Sequence, residues 1–201
     1  DNYVAVHSMK DIEANLRLSG DNNASLWIHS QAENDEMEEV HAELNQIDLA
    51  IISNAFSYIP PMKGILNADF QYAPSDSAFM VVADMNIDDL YYENERVGEL
   101  MFNAVYLPLE QGNHQVDMHL FRDRKEVSAI TALYQMGETD HISGNIEFMH
   151  FPLNIANPFI PDDMAKMGGD LDGTLAISGQ SDKPMAEGYL ILDTASVYVG
   201  A

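Results

Sequence analysis

The sequence contains no cysteine, and this absence excludes several kinds of chemistry at once. Disulfides, thiolate zinc sites and cysteine nucleophiles all need that side chain. A metal site would have to use histidine and carboxylates, yet His114 and His119 are five residues apart and lie on opposite faces of any strand. No His-Glu-x-x-His, Gly-x-Ser-x-Gly, P-loop or dinucleotide-binding glycine motif occurs. We therefore predict no catalytic residues, no metal ligands and no cofactor, and we expect that this chain is not an enzyme.

Positive charge is scarce as well. Lys and Arg number 9 against 33 Asp and Glu, which gives a formal net charge of −24. Nucleic-acid binding depends on basic side chains that displace counterions, and anionic lipid surfaces also attract basic segments, so both classes of partner are disfavoured. The one basic cluster contains Arg122, Arg124 and Lys125. We interpret it as the solvated tip of a hairpin, with an anion or headgroup contact as the alternative.

Long hydrophobic runs are also missing, since no stretch approaches the roughly 18 apolar residues of a membrane-spanning helix. The sequence begins at Asp1 without a signal peptide, and it stops within an apolar alternation at residues 197–199. We interpret it as an excerpt of a longer protein. Its 201 residues, 46% of them apolar, still suffice for a domain with a core of its own.

Apolar and polar residues alternate through most of the chain, and this period of two is typical of antiparallel sheets. In the last alternating segment Val127, Ala129, Thr131 and Leu133 share the predicted apolar face. Trp27, the only tryptophan, is interpreted as a core anchor on the opposite side of its strand from its two neighbours. The alternation predicts strands over residues 12–18, 40–44, 66–72, 79–85, 100–106, 116–120 and 127–133.

Two segments depart from this alternation. Residues 48–59 place Leu49, Ile52 and Phe56 at helical spacing before two prolines, which predicts a short helix. A second, weaker helix is predicted at about 162–167, where two aspartates precede it and two glycines follow it. The Asp-Leu-Asp-Gly run at 170–173 lacks the later ligands of a calcium loop, so we interpret it as a turn that enters a strand.

The two departures have a similar context, which suggests an internal repeat. Leu49 corresponds to Leu153, an offset of 153 − 49 = 104 residues, and Gly64 is matched with Gly173, an offset of 109. The predicted organisation has three parts: residues 1–46 are strands of a preceding unit, 47–150 form a first repeat unit, and 151–201 begin a second one.

The C-terminal part carries a resemblance to a known family. Residues 173–192, GTLAISGQSDKPMAEGYLIL, follow a strand, glycine turn, proline and second-strand pattern. This pattern resembles the TamB family (translocation and assembly module) within the AsmA-like group of envelope proteins. The resemblance implies an elongated, curved antiparallel sheet, shaped like a trough or taco, with one or two short helices. It also implies a non-enzymatic, periplasmic segment of an inner-membrane protein of diderm bacteria, which is anchored by one N-terminal helix.

The function implied by the resemblance is phospholipid transport between the two membranes and outer-membrane biogenesis. The expected partners are phospholipid acyl chains and the outer-membrane assembly machinery, and the edge of an excised sheet could also pair with a copy of itself. The alternative is a secreted or surface β-sandwich that binds glycan or protein through acidic loops, with Tyr91 and Tyr92 as exposed aromatics. The residues predicted to line an apolar trough are Leu66, Phe70, Phe79, Val81, Phe102, Val116, Leu120, Leu133, Ile146, Phe148, Leu175 and Ile177.

Overall fold

The computed structural model describes residues 2–8, 10–34, 37–56, 59–74, 78–92, 95–159 and 165–199. Within them the chain forms one helix, α1 (Leu49–Ala55), three 3₁₀ segments and twelve strands. The strands are β1 (Tyr3–Ser8), β2 (Asp11–Ser19), β3 (Ser25–Asn34), β4 (Met37–Asp48), β5 (Met62–Pro74), β6 (Phe79–Tyr92), β7 (Glu95–Pro108), β8 (His114–Arg122), β9 (Lys125–Gln135), β10 (His141–Pro152), β11 (Ala165–Gln180) and β12 (Lys183–Val199).

All twelve strands belong to a single antiparallel sheet in which the spatial order equals the chain order. Each strand therefore pairs with its neighbours in sequence, and β1 and β12 are the two edges. The prediction of a mainly β, antiparallel sheet with a short helix is confirmed. The β-sandwich of the alternative hypothesis is wrong, because the described strands form one sheet rather than two packed layers.

The pairing register sorts side chains onto two faces, since successive residues of a strand point to opposite sides. Cross-strand partners on one face are mostly apolar, and we call this the apolar face. One of its rows runs without interruption through seven strands from β5 to β11. The row consists of Phe70, Ala83, Ala104, Met118, Ile130, Ile146 and Leu175.

Two equivalent irregularities give the predicted repeat a structural counterpart. Gly64 has φ +134°, and a Cβ there would lie 2.9 Å from the carbonyl oxygen of Asp88. Gly169 has φ +94°, and a Cβ there would lie 2.5 Å from the carbonyl oxygen of Asp193. Both offsets are 105 residues (169 − 64 and 193 − 88). Gly64 therefore corresponds to Gly169 and not, as the sequence suggested, to Gly173.

Bulges accompany these glycines. Gln46 (φ 51°) and His150 (φ 49°) interrupt the pairing of β4 and β10 at positions 104 residues apart. Asp89 (φ 48°) and Thr194 (φ 47°) do the same in β6 and β12 at positions 105 residues apart. Residues with positive φ are uncommon outside glycine, and bulges bend and twist the strands that carry them. The domain boundaries proposed above remain a prediction.

Helix α1 begins where the sequence places it, because the Asp48 carboxylate caps it by accepting a hydrogen bond from the Ala50 amide at 2.8 Å. The second predicted helix is wrong in the described part of the chain. A 3₁₀ segment, Leu153–Phe159, comes before that position, and Ala165 already begins β11. The predicted helix start at Asp162 lies outside the described residues. The run at 170–173 is likewise part of strand β11 and not a turn.

Helix α1 and the Leu153–Phe159 segment both lie at the same ends of the strands, which we call the helical rim. There Leu49, Leu90 and Val97 are buried, with relative exposures of 6%, 8% and 5%. Ile52 of α1 and Ile155 of the 3₁₀ segment pack against this cluster. The helical rim is therefore closed by an apolar cluster. The opposite strand ends, which include the turns at 109–113 and 136–140, are called the loop rim.

The sheet is curved at the helical rim. The Lys166 ammonium of β11 lies 2.8 Å from the Glu95 carboxylate of β7. Four strand spacings separate β7 from β11, which in a flat sheet amounts to roughly 19 Å. Two side chains bridge that distance only if the sheet curls, so these strands form the wall of a trough.

Candidate functional site: the apolar face

Eleven of the twelve residues predicted to line a trough share the apolar face. The pairing register places Val81 on the same face as Phe70, in the neighbouring row, and Phe102 pairs directly with Leu120. The alternation identified this face on every strand that it covered except β9. The eleven residues are Leu66, Phe70, Phe79, Val81, Phe102, Val116, Leu120, Ile146, Phe148, Leu175 and Ile177. Their contact with lipid remains a prediction.

Leu133 is the exception, and its predicted placement on this face is wrong. It pairs with Gln115 of β8 and Ser143 of β10, whose side chains belong to the polar face. The inward residues of β9 are instead Ile130, Ala132 and Tyr134. The alternation from Val127 to Leu133 is as regular as that of Ile130, Ala132 and Tyr134. The pairing register with β8 and β10 decides which of the two sets faces the groove.

The apolar face is only partly covered. Among the described residues no large side chain is buried below 2% relative exposure, and Phe70 is 40% exposed in the middle of the sheet. A cavity of about 350 Å³ lies over β7 to β10, with Phe102, Leu120 and Phe148 in its lining. Its walls are almost wholly apolar, so the face forms a groove suited to a hydrocarbon chain.

The other face is polar and acidic. Trp27 lies on it, stacked on His29 with ring centroids 3.9 Å apart and beneath the Arg17 guanidinium at 5.7 Å. Trp27 pairs across the sheet with Glu43. Its interpretation as a core anchor is therefore wrong, because an aromatic ring on this face packs against histidine and arginine rather than against the apolar cluster.

Aromatic rings form a further feature that the sequence analysis missed. Tyr72, Phe79, Tyr106, His114 and Tyr134 supply one ring from each of five adjacent strands, β5 to β9, near the loop rim. Consecutive ring centroids are 5.4, 5.3, 5.6 and 6.0 Å apart. We call this set the aromatic row. Its members face the groove, and the cross-strand register, rather than any local motif, brings them together.

Three members of the aromatic row carry hydrogen-bonded polar groups. The Tyr106 hydroxyl and His114 Nδ1 are 2.7 Å apart. The Tyr134 hydroxyl donates to Asp140 at 2.5 Å, which raises the pKa of Tyr134 and lowers that of Asp140. His119 lies on the polar face beside Glu126, so the prediction that it and His114 occupy opposite faces is confirmed.

The basic cluster lies on the hairpin between β8 and β9, as predicted, but Arg122 is not solvated. Its side chain is 16% exposed, and Nη1 donates to the Asn154 side chain at 2.8 Å. Arg122 thus ties the hairpin to the 3₁₀ segment at the helical rim. Close by, the His150 ring lies 2.7 Å from the Asp172 carboxylate. Their hydrogen bonding raises the pKa of His150 and lowers that of Asp172.

The tyrosines of the alternative hypothesis do not form an exposed loop tip. Both lie in strand β6, and Tyr92 packs against the buried cluster of the helical rim. In the described part of the chain, His7, Asp11 and Glu13 are the single group of three possible metal-ligating side chains, and all three are exposed. The helix found among the described residues is too short to cross a membrane.

Comparison with known proteins identifies the family. The family described as TamB, N-terminal domain, matches residues 19–192, which is most of the chain. Comparisons with curated proteins and with solved structures find no match. The family match agrees with the resemblance seen in the C-terminal strands and extends it over nearly all of the sheet. The chain therefore belongs to the TamB family of cell-envelope proteins.

Proposed function

We propose that this chain is a non-enzymatic segment of a periplasmic lipid-transfer protein, in which the apolar face holds phospholipid acyl chains between the inner and outer membranes. By the same proposal it supports outer-membrane biogenesis, and the full protein is anchored in the inner membrane. The observation that carries the proposal is the uninterrupted apolar face of a single open sheet. A sheet with one apolar face must bury that face against something, and one short helix covers only its rim.

The dimensions support an acyl chain as the occupant. Leu100 lies beside the closed helical rim, and Tyr106 of the aromatic row is six residues away on the same strand, a distance of roughly 20 Å. The hydrocarbon core of a bilayer is about 30 Å thick, so one leaflet contributes about 15 Å. The groove therefore accommodates one extended acyl chain along the strand direction. Met118 lies in the same cavity, and flexible thioethers adapt to variable apolar ligands.

The test compares two leucines on opposite faces. Leu120→Asp places a carboxylate in the groove, whereas Leu133→Asp places the same group on the polar face one strand away. An ionised group in an apolar site costs several kcal/mol, so Leu120→Asp should lower lipid affinity at least about tenfold. Leu133→Asp should leave it unchanged.

The measurement is mass spectrometry of organic extracts from the purified proteins, expressed in a diderm bacterial host, with a mock purification as the control. Wild type and Leu133→Asp should retain stoichiometric phospholipid, and Leu120→Asp should lose it while circular dichroism still reports the sheet. Lipid-free wild type, or equal retention by both variants, would contradict the proposal.

A further inference from the structure

The groove has two unlike rims, and this asymmetry bears on how a lipid lies in it. At the helical rim, Leu49 and Ile155 belong to an apolar cluster that closes the groove. At the loop rim the groove ends instead in the aromatic row. A headgroup must stay in contact with water, so an acyl chain inserted from the loop rim places its terminal methyl at the helical rim.

The chemistry of the aromatic row matches the boundary between hydrocarbon and water. Tyrosine presents an apolar ring and a polar tip, and such residues gather at the headgroup level of membranes. Tyr106 and His114 present their hydroxyl and ring nitrogen on the groove side, and Phe79 lies between Tyr72 and Tyr106 in the series of rings. The row crosses five strands, so it follows the long direction of the trough.

Charge at the loop rim favours one kind of headgroup. Glu110, in the turn between β7 and β8, and Glu138, in the turn between β9 and β10, are exposed just beyond the row. Asp140 lies beside Tyr134 and is held in its ionised form, because hydrogen bonds lower its pKa. These carboxylates repel a headgroup of net negative charge and attract a terminal ammonium.

From these observations we infer that phospholipids lie in the groove with their ester region at the aromatic row, so that the headgroup leaves at the loop rim. We infer further that the acidic turns there favour a zwitterionic aminophospholipid over an anionic one. This inference rests on the proposed function, since it assumes that acyl chains occupy the groove.

Fluorescence quenching tests the orientation. In a Trp27→Phe background, Tyr106→Trp supplies a reporter at the aromatic row and Phe102→Trp supplies one in the 350 Å³ cavity, about 14 Å away on the same strand. The probes are phosphatidylethanolamines with bromine near the ester or near the methyl end of the chain. Bromine near the ester should quench position 106 more strongly, and bromine near the methyl end should quench position 102 more strongly.

The reversed pattern, or equal quenching at both positions, would overturn the orientation and leave the proposed function intact. Absence of quenching at both positions, with the sheet preserved by circular dichroism, would contradict the proposed function and with it this inference. Both reporters replace one aromatic ring by another on the same strand. If one variant fails to fold, the other still shows which of the two brominated lipids quenches its tryptophan more strongly.

Competition between phosphatidylethanolamine and phosphatidylglycerol with identical chains tests the headgroup preference. Wild type should favour the former about threefold, within the range that exposed charge pairs produce. Glu110→Gln with Glu138→Gln should weaken the preference, with only Asp140 left of the three carboxylates. Asp69→Asn with Glu147→Gln, which removes the same charge from exposed positions on the polar face, should preserve it. No preference in wild type, or equal effects of the two double variants, would overturn this part of the inference.

Discussion

Leu49→Ala should destabilise the protein more than most single substitutions, because the helical rim holds the main buried apolar cluster of the described chain. Leu49 is 6% exposed and contacts Leu90 and Val97 there. The change removes three carbon atoms at about 0.8 kcal/mol each, and the cavity that remains adds to this cost. We expect a loss of about 3 kcal/mol in the free energy of unfolding, within the range measured for buried leucines. For a chain of this length the melting temperature should fall by about 6–12 °C.

Ile51→Ala is the matched control, since Ile51 lies two residues further along the same helix and is 65% exposed. It should change the free energy of unfolding by less than about 0.5 kcal/mol, as expected for an exposed site. Urea titrations of both variants, followed by circular dichroism, measure the difference. Equal stability of the two variants would refute the conclusion that α1 is held to the sheet by Leu49.

Three further predictions concern the bulged strands and the segment at the helical rim. Gly64→Ala should cost more than about 1 kcal/mol, because φ is +134° and the new Cβ meets a facing carbonyl, whereas Gly20→Ala should be nearly neutral in the same thermal melts. The His150–Asp172 pair should stabilise the fold most between the unperturbed pKa values of 3.8 and 6.5. Because the pKa of His150 is raised, its contribution to stability is complete below pH 6.5 and is lost as the pH rises through its pKa in the folded protein. Because the pKa of Asp172 is lowered, its contribution to stability is lost as the pH falls through its pKa in the folded protein. His150→Gln should flatten the melting temperature between about pH 6 and 8 relative to wild type, and an unchanged profile would contradict this. Asn157→Ala removes two hydrogen bonds to the backbone of β11 and should cost about 1–2 kcal/mol by urea titration, whereas a cost below about 0.3 kcal/mol would show that the bonds are unimportant.

The sequence predicted the strands well because each strand has one apolar and one polar face, which is a local property. It predicted α1 because the apolar spacing and the following prolines lie within one short segment, although the helix ends at Ala55, before Phe56 and the prolines. It failed at the second helix, where acidic residues and glycines imitate the ends of a helix while Ala165 to Met167 pair with β12. Pairing with a neighbouring strand outweighs such local preferences.

The candidate site was likewise predictable from the sequence only in part. Alternation placed eleven lining residues on the apolar face, yet it misassigned Leu133, because β9 offers two alternating sets and the choice depends on its partners. Trp27 lies opposite its two neighbours, as the alternation predicted, but that side of the sheet is the polar face and not the core. The aromatic row could not be found from the sequence, since its five members are distributed over residues 72–134 without a common spacing.

By itself, therefore, the sequence determined that this protein is an antiparallel β protein of the TamB type, acidic on one face and apolar on the other. The tertiary structure decided which residues meet: the register aligned Phe70 with Leu175 along one row, brought the aromatic rings to one rim and closed the other with Leu49. It also matched Gly64 with Gly169 instead of Gly173. The physical reason is that a side chain's face follows from its own strand, whereas its neighbours follow from hydrogen bonds between strands, and a shift of one residue in that pairing moves every side chain to the other face.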